Sequence, residues 1–153
     1  MKSKNSNLKR MDNILLVVND LEAAKAFFTE LGMELEGEQD VEGPSVDSLI
    51  GLKNVRATLV SMRTPDGSGR IELDKFHSPD VVTTGSDNAA VNTLGFRRIM
   101  FAVENIDDVV ARLLTHGANL VGDVVQYEDA YRLAHIRSSE GFMIGLAEEL
   151  GNK

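Results

Sequence analysis

The chain has 153 residues, 42% of them hydrophobic, which is enough for one compact domain or two small modules sharing a core. It contains no cysteine, which excludes disulfides, thiolate metal sites and a cysteine nucleophile. The net charge of −8 is uneven: Lys2, Lys4, Lys9 and Arg10 crowd the first ten residues, leaving 12 basic against 24 acidic side chains elsewhere, a body that repels nucleic-acid phosphates.

No apolar run is long enough to span a bilayer, and the polar N-terminus carries no signal-peptide pattern, so a cytoplasmic protein without a membrane partner is expected. Residues 1–10 read as a frayed basic tail. Asn13–Val18 is a short apolar, β-rich run that predicts a strand. Asn19 and Asp20 then supply a cap for a helix in which Leu21, Ala24, Phe27, Phe28 and Leu31 share one face, and Gly32 ends it. Strands are predicted over Glu34–Val41, Val55–Arg63 and Arg70–Phe76, with a turn of helix within Val46–Leu52. Thr64-Pro65-Asp66-Gly67 is the turn between the last two strands, and it leads into a strand rather than a helix, so its glycines are not a phosphate loop.

Residues 77–95 are polar and rich in turn formers and read as a linker. Beyond it the chain repeats itself. Met11–Gly37 aligns with Phe96–Gly122 without a gap, a displacement of 85 positions that sets Gly32 on Gly117 and Gly37 on Gly122. The second copy predicts a strand over Arg98–Val103, a helix over Ile106–His116, and strands over Asn119–Gln126, Tyr131–Arg137 and Phe142–Ala147. Across the later strands the displacement is 74, placing Leu59 on Leu133 and Arg63 on Arg137; one residue is then lost, and Ile71-Glu72-Leu73 falls on Ile144-Gly145-Leu146. The predicted fold class is α+β: tandem βαβββ modules, residues 11–76 and 96–150, forming an incomplete barrel-like sheet around a central pocket.

Strand alternation sorts the side chains. With the helix on the Ile14/Leu16/Val18 and Ile71/Leu73 side, Asn13, Leu15, Val17, Glu72 and Phe76 fall on the open face of the first sheet. The same rule puts Arg98, Met100 and Ala102 on the open face of the second, and groups Leu133, His135 and Arg137. A pseudo-two-fold axis between the modules is expected to turn the two open faces into one shared pocket.

The doubled βαβββ unit, the segment VVNDLEAAKAFFTELG after the first strand and the closing RSSEGFMIGLAE together resemble the vicinal oxygen chelate superfamily, over about residues 11–150. That group includes glyoxalase I, extradiol dioxygenases and bleomycin-resistance proteins. The resemblance implies four metal-ligand positions, here Asn13, Glu72, Arg98 and Gly145, of which only Glu72 matches the usual ligands. Asn13 offers one neutral carbonyl oxygen, Gly145 no side chain, and Arg98 a permanent positive charge. An ion pair between Glu72 and Arg98 is predicted in place of the metal, and no cofactor is expected; a divalent metal is the alternative.

The resulting expectation is a metal-free binding protein for a small, possibly anionic molecule, with Asn13, Leu15, Phe76, Arg98 and Met100 contacting the ligand. The alternative is a lyase, isomerase or dioxygenase in which Glu72 or His135 moves a proton; an imidazole at His135 would titrate near neutrality. His116, at a helix end, reads as a favourable C-terminal cation, and His77 as solvent-exposed. The resemblance also implies a homodimer.

Overall fold

The computed structural model describes residues 7–83 and 89–151. Residues 1–6 of the expected tail and 84–88 of the expected linker lie outside these. The first module runs β1 (Ile14–Val17), α1 (Leu21–Leu31), β2 (Glu34–Glu42), α2 (Pro44–Ile50), β3 (Arg56–Arg63) and β4 (Arg70–Ser78). Asp20 caps α1, its carboxylate accepting from the Ala23 amide at 3.0 Å. Gly32 closes the helix at φ +121°, a conformation that spares glycine the Cβ penalty. The four strands lie in the order β1-β4-β3-β2, with β1 parallel to β4.

The second module repeats this plan with β5 (Ile99–Ala102), α3 (Ile106–Leu114), β6 (Asn119–Leu120), β7 (Val125–Tyr127), β8 (Tyr131–Arg137) and β9 (Met143–Glu149), in the order β5-β9-β8-β6 with β7 on β8. Equivalent hydrogen bonds mark the repeat: Val18 N–H donates to Asp74 O at 3.0 Å, and Val103 N–H to Ala147 O at 2.9 Å.

Three boundaries differ from expectation. The helix expected to reach His116 ends at Leu114; Thr115 and His116 donate to carbonyls only three residues back, a tightened last turn. The linker begins later, because β4 continues to Ser78. The single strand expected over Asn119–Gln126 is two short ones. In the first copy β2 absorbs an irregularity as a bulge between Leu35 and Gly37, against a long β3. In the second the equivalent Leu120-Gly122 segment breaks the ladder outright.

One hydrophobic core serves both modules. Ile71 and Leu73 of β4 and Ile136, Ile144 and Leu146 of β8 and β9 are buried beneath the helices. Phe28 of α1 stacks on Phe142 (5.5 Å between centroids, 9° between planes) and tilts against Phe101, while Phe27 meets Phe142 edge-on. Glu140, in the β8–β9 turn, accepts hydrogen bonds from the amides of Asn19 (2.6 Å) and Asp20 (3.2 Å), so one module caps the helix of the other. The modules are thus joined through their helices and this aromatic cluster. Among the described residues no backbone ladder links β1 to β5, and the two sheets stay separate.

Candidate functional site

The predicted facing of the strands holds. On β1, Leu15 and Val17 are 48% and 51% exposed while Leu16 packs on the core, and on β5 Met100 is 41% exposed beside core-packed Ile99 and Phe101. Residues of both open faces come together at the start of β1 and β5. There a cleft of about 720 Å³ opens, lined among others by Met11, Asn13, Leu15, Phe96, Arg98 and Phe142. Asn13, Leu15 and Arg98 are brought together. Glu72, Phe76, Met100 and His135 are not among its lining residues.

On the second sheet the register aligns Met100, Gly145 and His135 across β5, β9 and β8. The thioether of Met100 occupies the space over Gly145: a Cβ placed there would meet Met100 Sδ at 2.8 Å, Met100 Cε at 3.0 Å and His135 Cδ2 at 3.3 Å. Arg98 Nη1 donates to His135 Nε2 at 2.8 Å. A guanidinium is a donor only, so His135 accepts through Nε2 and carries its proton on Nδ1. Burial, and then the Arg98 charge, push the His135 pKa below the ordinary imidazole value, keeping it neutral at physiological pH.

The predicted Glu72–Arg98 ion pair is not formed; no such pair exists among the described residues, because the two side chains belong to separate sheets. Glu72 instead meets Asp74, two residues along the same face of β4. The Glu72 carboxyl there disfavours ionisation of Asp74. Asp74 is only 5% exposed, and burial, followed by the hydrogen bond and like charge of Glu72, raises its pKa to about 8. Its Oδ1 is buried without a hydrogen-bond partner.

Sequence reasoning assigned no role to Asp74. The repeat held the signal: the position equivalent to Asp74 is Ala147, so the scaffold does not need an acid there. The other histidines are peripheral. His77 Nε2 lies 2.8 Å from Thr58 Oγ1 on an exposed strand end, and His116 Nε2 lies 3.9 Å from Glu30 Oε2 of α1.

A glyoxalase-type metal does not fit these residues. Arg98 is committed to His135, and Met100 fills the space over Gly145. Among the described residues no three His, Asp or Glu side chains converge.

A family model, that of the glyoxalase/bleomycin resistance protein/dioxygenase superfamily, matches residues 10–146. The chain belongs to this superfamily. Among solved structures of the superfamily, a glyoxalase family protein from Bacillus cereus is 50% identical over 99% of this chain and 100% of that one, with a TM-score of 0.92. A glyoxylase/bleomycin resistance protein/dioxygenase domain from Frankia sp. covers 94% of this chain and 99% of its own at 16% identity (TM-score 0.62). The trypanothione-dependent glyoxalase I of Leishmania major is 21% identical over 93% of this chain and 88% of that one (TM-score 0.64). The last two likenesses show the superfamily fold alone. No curated protein matches the chain. The superfamily hosts several chemistries on one scaffold, so function has to be argued from the side chains.

Proposed function

We propose that this superfamily member is a metal-free binding protein for a small molecule carrying an anionic group, acting in the cytoplasm. The observation that carries this is the Arg98–His135 hydrogen bond. It stations a permanently charged guanidinium at the mouth of the cleft, with further N–H donors for a carboxylate or similar anion. Leu15 and Phe96 supply apolar surface for the body of the ligand, and Asn13 a neutral polar contact.

Function as a homodimer is part of the proposal. Leu15, Val17 and Met100 form apolar strips on the open faces, which a second copy would cover. Light scattering at micromolar concentration should return twice the chain mass.

Thermal shift against a panel of small carboxylates and matched neutral amides tests the ligand class, because a ligand selective for the folded state raises the melting temperature. Arg98→Ala should abolish the carboxylate shifts and spare those of neutral ligands; equal loss of both would refute the anchor. One equivalent of Ni, Zn, Mn or Fe retained through gentle purification, and lost in Glu72→Ala, would overturn the metal-free assignment.

One observation favours a second possibility, an enzyme of the lyase, isomerase or dioxygenase kind. His135 is neutral near pH 7 and so competent to take up a proton. Turnover of an α-carbonyl substrate that is lost in His135→Gln would favour it over binding alone.

A further inference from the structure

The two copies of the repeat differ in charge at one corner. In the first module the starts of β1, β2 and β4 and the end of β3 bring Asp12, Glu34, Glu36, Arg63 and Arg70 to that corner. Each arginine there has an acid: Arg63 lies 3.4 Å from Glu34 and 3.8 Å from Glu36, and Arg70 lies 3.1 Å from Glu36. The equivalent residues of the second module are Arg97, Asn119, Val121, Arg137 and Met143, and Arg98 stands for Asn13. The strand registers bear this out. Arg63 pairs with Glu34 and Arg70 where Arg137 pairs with Asn119 and Met143. The second corner therefore carries three guanidiniums and none of the acids.

Arg97, Arg98 and Arg137 all line the cleft at the start of β1 and β5, and no Asp or Glu is among its lining residues. Their protein partners are neutral. Arg98 donates to His135, and Arg137 to the carbonyls of Gly141 (3.0 Å) and Ala89 (2.8 Å). The Arg97 side chain has no hydrogen-bond or ion-pair partner among the described residues, and it is only partly exposed. The two acids that flank lining residues in the chain are occupied: Asp12 by Arg10 at 3.1 Å, and Glu140 by the Asn19 and Asp20 amides. Like charges gathered at one cleft repel, and a half-buried guanidinium without a counter-ion forfeits solvation, so an anion bound there would relieve both costs.

We propose that the ligand of this cleft carries two negative charges, as a phosphate monoester or a dicarboxylate on an apolar body. That ligand class rests on the anion-binding reading of Arg98 and narrows it. One guanidinium satisfies a monoanion; Arg97 and Arg137 supply charge for a second. Because Ile99 pairs with Ile144 and Arg137 with Met143, Arg98 and Arg137 flank Met143, two strand spacings or about 10 Å apart. Arg137 uses two of its five N–H donors on carbonyls and keeps the others. Leu15, Phe96 and Phe142 offer apolar surface beside them.

Calorimetric titration at pH 8 tests the charge count. Phenyl phosphate is a dianion there, its second pKa being about 6, and methyl phenyl phosphate is the same group with one charge. Phenyl phosphate should bind at least tenfold more tightly, or phthalate should exceed benzoate by that factor; the pair with the larger ratio identifies the head group. Arg97→Met, which removes a side chain with no protein partner to lose, should weaken the preferred dianion fivefold or more and its monoanion less than twofold. Arg97→Lys should recover part of the loss. Equal affinities within both pairs, with benzoate still tighter than benzyl alcohol, would overturn the double charge and leave the Arg98 anchor standing. Benzyl alcohol as tight as benzoate would sink the anchor itself. A dianion preference unchanged in both Arg97→Met and Arg137→Met would overturn the assignment to these arginines.

Discussion

Met100 lies across Gly145, with its sulfur 2.8 Å from the place a β-carbon would take. That contact puts an apolar group over Gly145, the position at which the resemblance implied a metal ligand. The obstructing atoms are the far end of a flexible side chain on a partly exposed strand, and Gly145 does not need a left-handed backbone. Gly145→Ala should therefore displace Met100 rather than unfold the sheet, costing about 1 kcal/mol or less in chemical denaturation. In a Met100→Ala background the crowding is relieved, and Gly145→Ala should cost little or nothing further. A loss of more than about 3 kcal/mol in Gly145→Ala alone would mean that Met100 is pinned.

His135 is held below the ordinary imidazole pKa, by burial first and by Arg98 second. The unfolded chain thus takes up this proton more readily than the folded one. The contribution of His135 to stability is complete above the unfolded value of about 6.5 and is lost as pH falls through the depressed folded value. Proton NMR of the imidazole should show the low value directly. Arg98→Met should raise it towards, without reaching, the ordinary value, since the burial cost remains; no upward movement would show that Arg98 does not bear on the ring.

Asp74 behaves in the opposite sense. Its folded pKa of about 8 stands above the ordinary 3.8, so between those values the folded protein holds a proton that the unfolded chain releases. Stability conferred by the neutral acid is complete below pH 4 and declines as pH rises towards 8, with a limiting slope of about 1.4 kcal/mol per pH unit. Asp74→Asn should flatten that part of the pH profile and leave the variant more stable than wild type at pH 8. Glu72→Gln should lower the Asp74 pKa by removing the like charge. An unchanged slope in Asp74→Asn would show that the acid titrates normally in the folded state.

Much of the site was legible from the order of residues because strand alternation is a local rule. Once Ile71 and Leu73 are placed under a helix, Glu72 has to face away from it, and the repeat carries the same rule to Met100 and His135. The break between β6 and β7 was less legible. Gly37 and Gly122 are equivalent in sequence, yet a long partner strand carries the first past its irregularity, while the second loses its ladder. Asp74 was overlooked for a related reason: on a strand it looks like one more polar residue on an open face, and only packing reveals that its carboxyl is buried against another.

The repeat, the facing of each strand, the capping of α1 by Asp20 and the loss of the superfamily's usual ligand types are properties of the chain as written, because each depends on neighbours a few residues away or on a comparison of the two copies. Partner choice is different. Whether Arg98 meets Glu72 or His135 depends on how two sheets are set against each other, and that is decided by helix packing and by the Phe28–Phe142 stack in a core common to both modules. With the modules joined through their helices, the sheets stay apart. Arg98 then pairs with His135 of the second module, and Glu72 is left beside Asp74 on the first.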